Sequence, residues 1–233
     1  MGKDGKTPVK RFLSMVKPSA AVEARARKRV MTSFAEKLGL VYFGYVDQKH
    51  DEHSLVRGLT LSRTHKDKHY SIGSFEGYDI ILLERSDIIN FPGKPARVTK
   101  WLVLAIDLHT KADLPHVFIG HSNHSETFYA HLFTAFSHLQ RVYFGTLGQH
   151  SDEFNFNYRV FTHASKAYEA EQLFTPELTS VIGANFRPLE IELHRDVLYI
   201  YADDMMPTQQ LLGTMVKNGL WLAQQIDKSQ VTA

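Results

Sequence analysis

Between residues 98 and 106 the chain reads Val-Thr-Lys-Trp-Leu-Val-Leu-Ala-Ile, with Leu102, Leu104 and Ile106 alternating against Trp101, Val103 and Ala105. An extended segment that is apolar at both parities has to be covered on both faces, so this one belongs at the centre of a sheet with a layer on either side. It is far too short for a membrane-spanning helix, which needs about 20 apolar residues, and no other window comes closer. With 43% hydrophobic and 12% aromatic residues the chain has the apolar surface to build those layers, which excludes the disordered class.

The neighbouring segments supply strands and helices in irregular order. Residues 41–46, Leu59 with Leu61, Tyr70 with Ile72, and Tyr78, Ile80 and Leu82 read as strands, with polar residues 64–68 as a turn and a second turn at Phe75-Glu76-Gly77. Asn90-Phe91-Pro92-Gly93-Lys94-Pro95 is a loop by composition. A short strand at residues 116–119 precedes a central helix, which Asn123 and Glu126 begin at capping-box spacing and which runs to Leu139. Phe154, Phe156, Tyr158 and Val160 alternate as a further strand; a helix covers residues 165–172, and Thr175-Pro176 opens another as N-cap and first residue. A hairpin follows, with Leu189, Ile191 and Leu193 alternating against Glu190, Glu192 and His194 before the apolar run resumes at Val197. The C-terminal helix buries Leu212, Met215, Val216, Gly219, Leu222, Ala223 and Ile226. Hairpins imply local antiparallel pairing, so the expected fold is α+β: a mainly antiparallel sheet packed with an N-terminal, a central and a C-terminal helix.

Charge divides the chain at its N-terminal end. Residues 1–40 carry ten lysines and arginines against three acids, an excess of +7, so the rest carries −5 of the net +2. This separates a basic tail and amphipathic helix, residues 1–40, from an α+β domain, residues 41–233. The helix starts at Ser19 after Pro18, stops at Gly39, and repeats Val22, Ala26, Val30, Phe34 and Leu38 at helical spacing. Arg25, Lys28 and Arg29 share its opposite face and are the candidate binding residues, for an anionic membrane surface or a protein partner. Nucleic acid is less supported, because no aromatic interleaves with these cations to stack a base. Met1-Gly2-Lys3-Asp4-Gly5-Lys6 has no apolar run for secretion, and Lys6 stands where myristoylation needs Ser or Thr. A cytoplasmic location, peripheral to a membrane at most, is expected.

Phe156-Asn157-Tyr158-Arg159-Val160, then residues 170–176 ending in Leu173-Phe174-Thr175-Pro176, then Val197-Leu198-Tyr199-Ile200, resemble an uncharacterised bacterial domain family of unknown function. The likeness covers about residues 70–202, and Phe75-Glu76-Gly77-Tyr78 fits a short turn of that family. It implies fold and no catalytic residues. Such proteins usually carry membrane-spanning segments ahead of the domain, where this chain has its basic helix.

No cofactor is expected. The chain has no phosphate-binding glycine loop, dinucleotide fingerprint, His-Glu-x-x-His or calcium loop. Without cysteine it has no disulfide, thiol nucleophile or thiolate metal site. Gly120-His121-Ser122 between strand and helix has the context of a nucleophile elbow, with Ser122 attacking and His163 or His194 as base. Against it, His124 stands where the second glycine belongs, and Ser122 with Asn123 suits a helix cap. His121 and His124 are candidate metal ligands, but His124, His131 and His138 are seven apart on the expected helix, about 10 Å per step, and do not share an ion, so a zinc site would need partners from elsewhere, such as His109, His116 or Asp107. Asp203-Asp204 before the last helix suits the helix dipole without any ligand. The sequence therefore favours a non-catalytic binding or scaffold domain near a membrane surface over a serine hydrolase or a histidine-based metal protein.

Overall fold

The computed structural model describes residues 20–45, 58, 65–89, 97–110, 113–133 and 136–231. The N-terminal tail, the Leu59–Leu61 strand and the residue 90–95 loop expected from sequence lie outside them. Helix α1 (Ala20–Leu38) ends at Gly39, whose φ of +73° a glycine adopts without strain, and passes into the edge strand β1 (Val41–Gly44). Strands β2 (Lys66–Phe75), β3 (Tyr78–Ile89) and β4 (Arg97–Asp107) continue as a meander. The Glu76-Gly77 turn, with both φ angles positive, closes the β2–β3 hairpin, and β2 begins within the polar run expected to be a turn. Next come β5 (Val117–His121), α2 (Glu126–Leu132), β6 (Gln140–Val142), α3 (Asp152–Asn157) and β7 (Tyr158–Thr162). Helices α4 (Ala167–Leu173) and α5 (Pro176–Asn185), the hairpin β8 (Glu190–His194) and β9 (Val197–Asp203), and α6 (Gln209–Val231) complete the described chain.

Among the described residues the strands form one nine-stranded sheet in the order β1-β2-β3-β4-β9-β8-β5-β7-β6, and every neighbouring pair is antiparallel. The fold is thus α+β, as the patterning implies. β4 lies inside the sheet between β3 and β9, and its residues 101–106 are buried on both faces. On one face Leu82, Leu102, Leu104, Ile106 and Ile200 pack with residues of α1, α3, α4, α5 and α6. On the other, Leu83, Trp101, Val103, Phe118, Tyr199 and Tyr201 pack with Phe128, Tyr129, Leu132 and Phe133 of α2 and the residue after it. The burial of α6 follows the expected series, and at Gly219 a Cβ would come within 2.8 Å of Ile106 Cδ1, so the glycine lets this helix approach the sheet closely.

Three local expectations change in the folded chain. The buried side of α1 is Arg27, Met31, Phe34 and Ala35, while Val22 is exposed: the stripe is rotated so that Arg27 NH1 can donate to Glu84 Oε2 of β3 at 2.5 Å. Ala26, which periodicity placed in the apolar stripe, is exposed, and the neighbouring cation Arg27 is buried instead. The central helix is short; Ser125, not Asn123, accepts from the Phe128 N–H as N-cap, and the helix stops before His138. Residues 154–157 are helical, capped by Ser151, so that Phe154 is buried and Phe156 exposed; the strand starts only at Tyr158.

Covering the second sheet face traps polar groups that must find partners within the protein. Arg85, fully buried, donates from Nε to Asp67 Oδ1 at 2.7 Å and from NH2 to Asp67 Oδ2 at 2.6 Å, while Tyr70 donates to the same carboxylate at 3.0 Å. Burial works against the Arg85 charge, but the paired carboxylate more than offsets it. Asp67→Ala is expected to lower unfolding stability by about 3–5 kcal/mol in urea titration, because it leaves a buried guanidinium without its two-pronged acceptor. A loss below about 1 kcal/mol would mean that the pair is not buried in solution.

Candidate functional site

Helix α1 docks through one side and offers the other to solvent. Arg27 is fixed between Glu84 and Glu23. Arg25, Lys28 and Arg29 are all exposed and line one shallow face with Thr32, Ser33 and Glu36. No ion pair among the described residues neutralises these three cations. The structure therefore keeps the sequence-derived triad together as an accessible basic face. In the edge strand β1, Tyr42 packs on the α1 side of the sheet, whereas the half-exposed Val41, opposite Ile72, lies on the α2 side.

The Ser122 turn follows β5. Its N–H donates to Asn157 O, the Asn123 N–H donates to His121 Nδ1 at 3.2 Å, and the His124 N–H donates to His121 O. No hydrogen bond joins Ser122 Oγ to a histidine among the described residues. The bases suggested by sequence stand elsewhere: β5 register sets Val117 beside Leu193 and Thr162, which puts His194 and His163 alongside His116. Ser122 lies six residues further on, about 20 Å at ~3.3 Å per residue, so neither can take its proton.

His121 and His124 also part company. His124 stacks on Phe128 with centroids 4.1 Å apart, and its Nε2 is 3.1 Å from Asp203 Oδ2. His121 is buried, its Nε2 has no partner among the described residues, and burial, with Arg187 and His124 nearby, lowers its pKa. Its N–H donates to Glu190 Oε1, which also accepts from Tyr129 Oη at 2.8 Å; burial raises the Glu190 pKa. These contacts lock α2 to the sheet.

A different set of histidines does converge. His116, His194 and His163 stand side by side on the α2 face at the opposite end of β5, β8 and β7. His116 Nε2 lies 2.8 Å from Glu192 Oε1, its Nδ1 lies 3.2 Å from His138 Nε2, and its ring stacks on His194 at 4.2 Å. Glu192 is fully buried and takes a second hydrogen bond, from Tyr201 Oη to Oε2 at 2.5 Å. Burial and the neighbouring His116 push the His194 pKa down to about 4, and burial lowers that of His138 as well. His116, Glu192 and His194 each bring a ligand atom within 4.8 Å of the others, a grouping that defines a candidate metal centre. Sequence reading offered His116 only as a partner for His121 or His124 and missed this grouping, because Glu190, Glu192 and His194 alternate as a wet strand face would, whereas Glu190 and Glu192 are buried.

One more buried carboxylate is structural. Glu171 of α4 accepts from the N–H groups of Gly145, Thr146 and Leu147, and His150, bonded to Thr179 Oγ1, stands 3.3 Å away. Burial alone would raise its pKa, but these donors outweigh it and hold the carboxyl below its ordinary value.

No protein-family model matches the chain, and no curated protein matches it. Its architecture is similar to that of the mycobacterial trehalose monomycolate transport factor A: the crystal structure of that protein aligns with a TM-score of 0.57 over 88% of this chain and 94% of the other, at 11% identity. At that identity the likeness is one of fold.

The geometry yields two expectations. A fluorophosphonate probe is expected to leave the intact mass unchanged, and an adduct on Ser122 would restore the hydrolase reading. For Glu171, a native pKa below the unfolded one means that its stabilisation is full above the ordinary glutamate range and is lost as pH falls through the native value. Glu171→Gln is therefore expected to destabilise at neutral pH and to flatten the acid limb of the stability–pH profile; an unchanged limb would show that the carboxylate does not clamp the loop.

Proposed function

We propose that this protein is a non-catalytic binding or scaffold domain that docks on an anionic membrane surface through the outer face of α1. The carrying observation is that Arg25, Lys28 and Arg29 are exposed together while the apolar side of the same helix is anchored in the core. The helix thus presents charge without having an apolar face to insert, which favours adsorption at the headgroup level over penetration. No helix among the described residues is long and apolar enough to cross a membrane. The resemblance of residues 70–202 to a bacterial family whose members usually carry membrane-spanning segments supports this reading, with the basic helix in the corresponding place. So does a fold shared with a protein named as a transport factor, which favours an adaptor or carrier role.

Basic residues near an anionic bilayer contribute about 1 kcal/mol each. Replacing Arg25, Lys28 and Arg29 together by Gln is therefore expected to weaken co-sedimentation with phosphatidylserine-containing vesicles by about 100-fold at low salt, and raised ionic strength should release the unmodified protein. The melting temperature should hold nearly constant, since exposed charges are worth about 0.5 kcal/mol or less. Absence of wild-type binding at low salt would overturn the proposal, and so would a large loss of stability in the triple variant.

A further inference from the structure

We infer that His116, Glu192 and His194 form a binding site for one divalent transition-metal ion of the zinc class. The donor set is two imidazoles and one carboxylate, with no thiolate available anywhere in the chain. Such a mixed nitrogen and oxygen set suits zinc and its neighbours, whereas calcium and magnesium select all-oxygen shells. The site differs from the His121 and His124 positions suggested by sequence and lies on the face of the sheet opposite α1, so it is independent of the proposed membrane surface.

The geometry is close to what an ion needs. Tetrahedral bonds of about 2.0–2.1 Å set ligand atoms roughly 3.3–3.4 Å apart, and the three groups already lie within 4.8 Å of one another. The remaining difference is of the size that side-chain rotation of the partly exposed His194 would have to supply on binding. An ion would replace the proton between His116 Nε2 and Glu192 Oε1, now 2.8 Å apart.

Supporting contacts of the kind that tune metal ligands are also in place. Tyr201 holds Oε2 of Glu192, leaving Oε1 turned toward His116. His138 Nε2 can accept a proton from His116 Nδ1, which fixes the tautomer that frees Nε2 for a metal. A plain structural hydrogen bond accounts for His116 and Glu192 alone; it does not account for His194 stacked against the same ring or His138 against its other nitrogen. His194 is only partly buried and His138 is exposed, so the centre opens to solvent. Three protein ligands leave a fourth position for water or a partner's ligand.

The test uses the chain of residues 1–233, stripped with a chelator and titrated with Zn²⁺ against a chromogenic competitor, then with Co²⁺ while the visible spectrum is followed. One ion per chain, a tetrahedral cobalt band and a zinc-dependent rise in melting temperature are expected. His194→Ala, at a partly exposed position, should keep the fold and lose the cobalt band, with zinc affinity reduced at least about 10-fold. His138→Ala should retain the band and weaken affinity by about 10-fold through the lost tautomer control. Vesicle binding by His194→Ala should match the unmodified protein, which separates this site from the α1 reading. Zinc affinity unchanged in His194→Ala would assign the ion to other histidines and overturn the inference; absence of a cobalt band in the unmodified chain would do the same.

Discussion

The antiparallel pairing of β4 with β9, from Trp101 opposite Asp203 to Asp107 opposite Val197, joins two otherwise separate sets of strands into one sheet. On one side lie β1 to β4, which follow the chain; on the other lie β9, β8, β5, β7 and β6, which do not. Because β4 and β9 are apolar on both faces, their junction is stable only if helices cover both sides. That requirement organises the layers: α1, α3, α4, α5 and α6 against one face and α2 against the other.

Covering the second face has an electrostatic consequence. Its central rows contain Arg85, Asp67, Glu190 and Glu192, groups that water would otherwise solvate. Each is matched from a neighbouring strand or from α2: Asp67 to Arg85 and Tyr70, Glu190 to Tyr129, Glu192 to Tyr201 and His116. Where the polar layer reaches the rim beyond β5, the fully buried carboxylate of Glu192 meets histidines that open to solvent. Buried anionic ligand and accessible imidazole thus arise from the same packing constraint that closes the core.

The basic helix obeys a different logic. Met31, Phe34 and Ala35 fasten α1 to the opposite sheet face, and Arg27 adds a partly buried ion pair that fixes its rotation. Once the rotation is set, Arg25, Lys28 and Arg29 have to face outward. The helix therefore belongs to the same core as the domain that follows it, although its charge sets it apart in sequence.

Much of the local structure was legible in the residues themselves: the doubly apolar β4, the Glu76-Gly77 hairpin, the Thr175-Pro176 start of α5, the burial of α6 and the shared face of the three α1 cations. Each depends on spacing or on a backbone preference that operates within a few residues. The candidate metal centre was not legible, since His116, His138 and the β8 pair Glu192 and His194 come from three separate segments and meet only through the pairing of β5 with β8 and the turn after α2. Nor could alternation reveal that Glu190 and Glu192 are buried. The side of a strand that a residue occupies is fixed by the period of two, but whether that side is covered depends on helices distant in the chain, and only tertiary packing decides it.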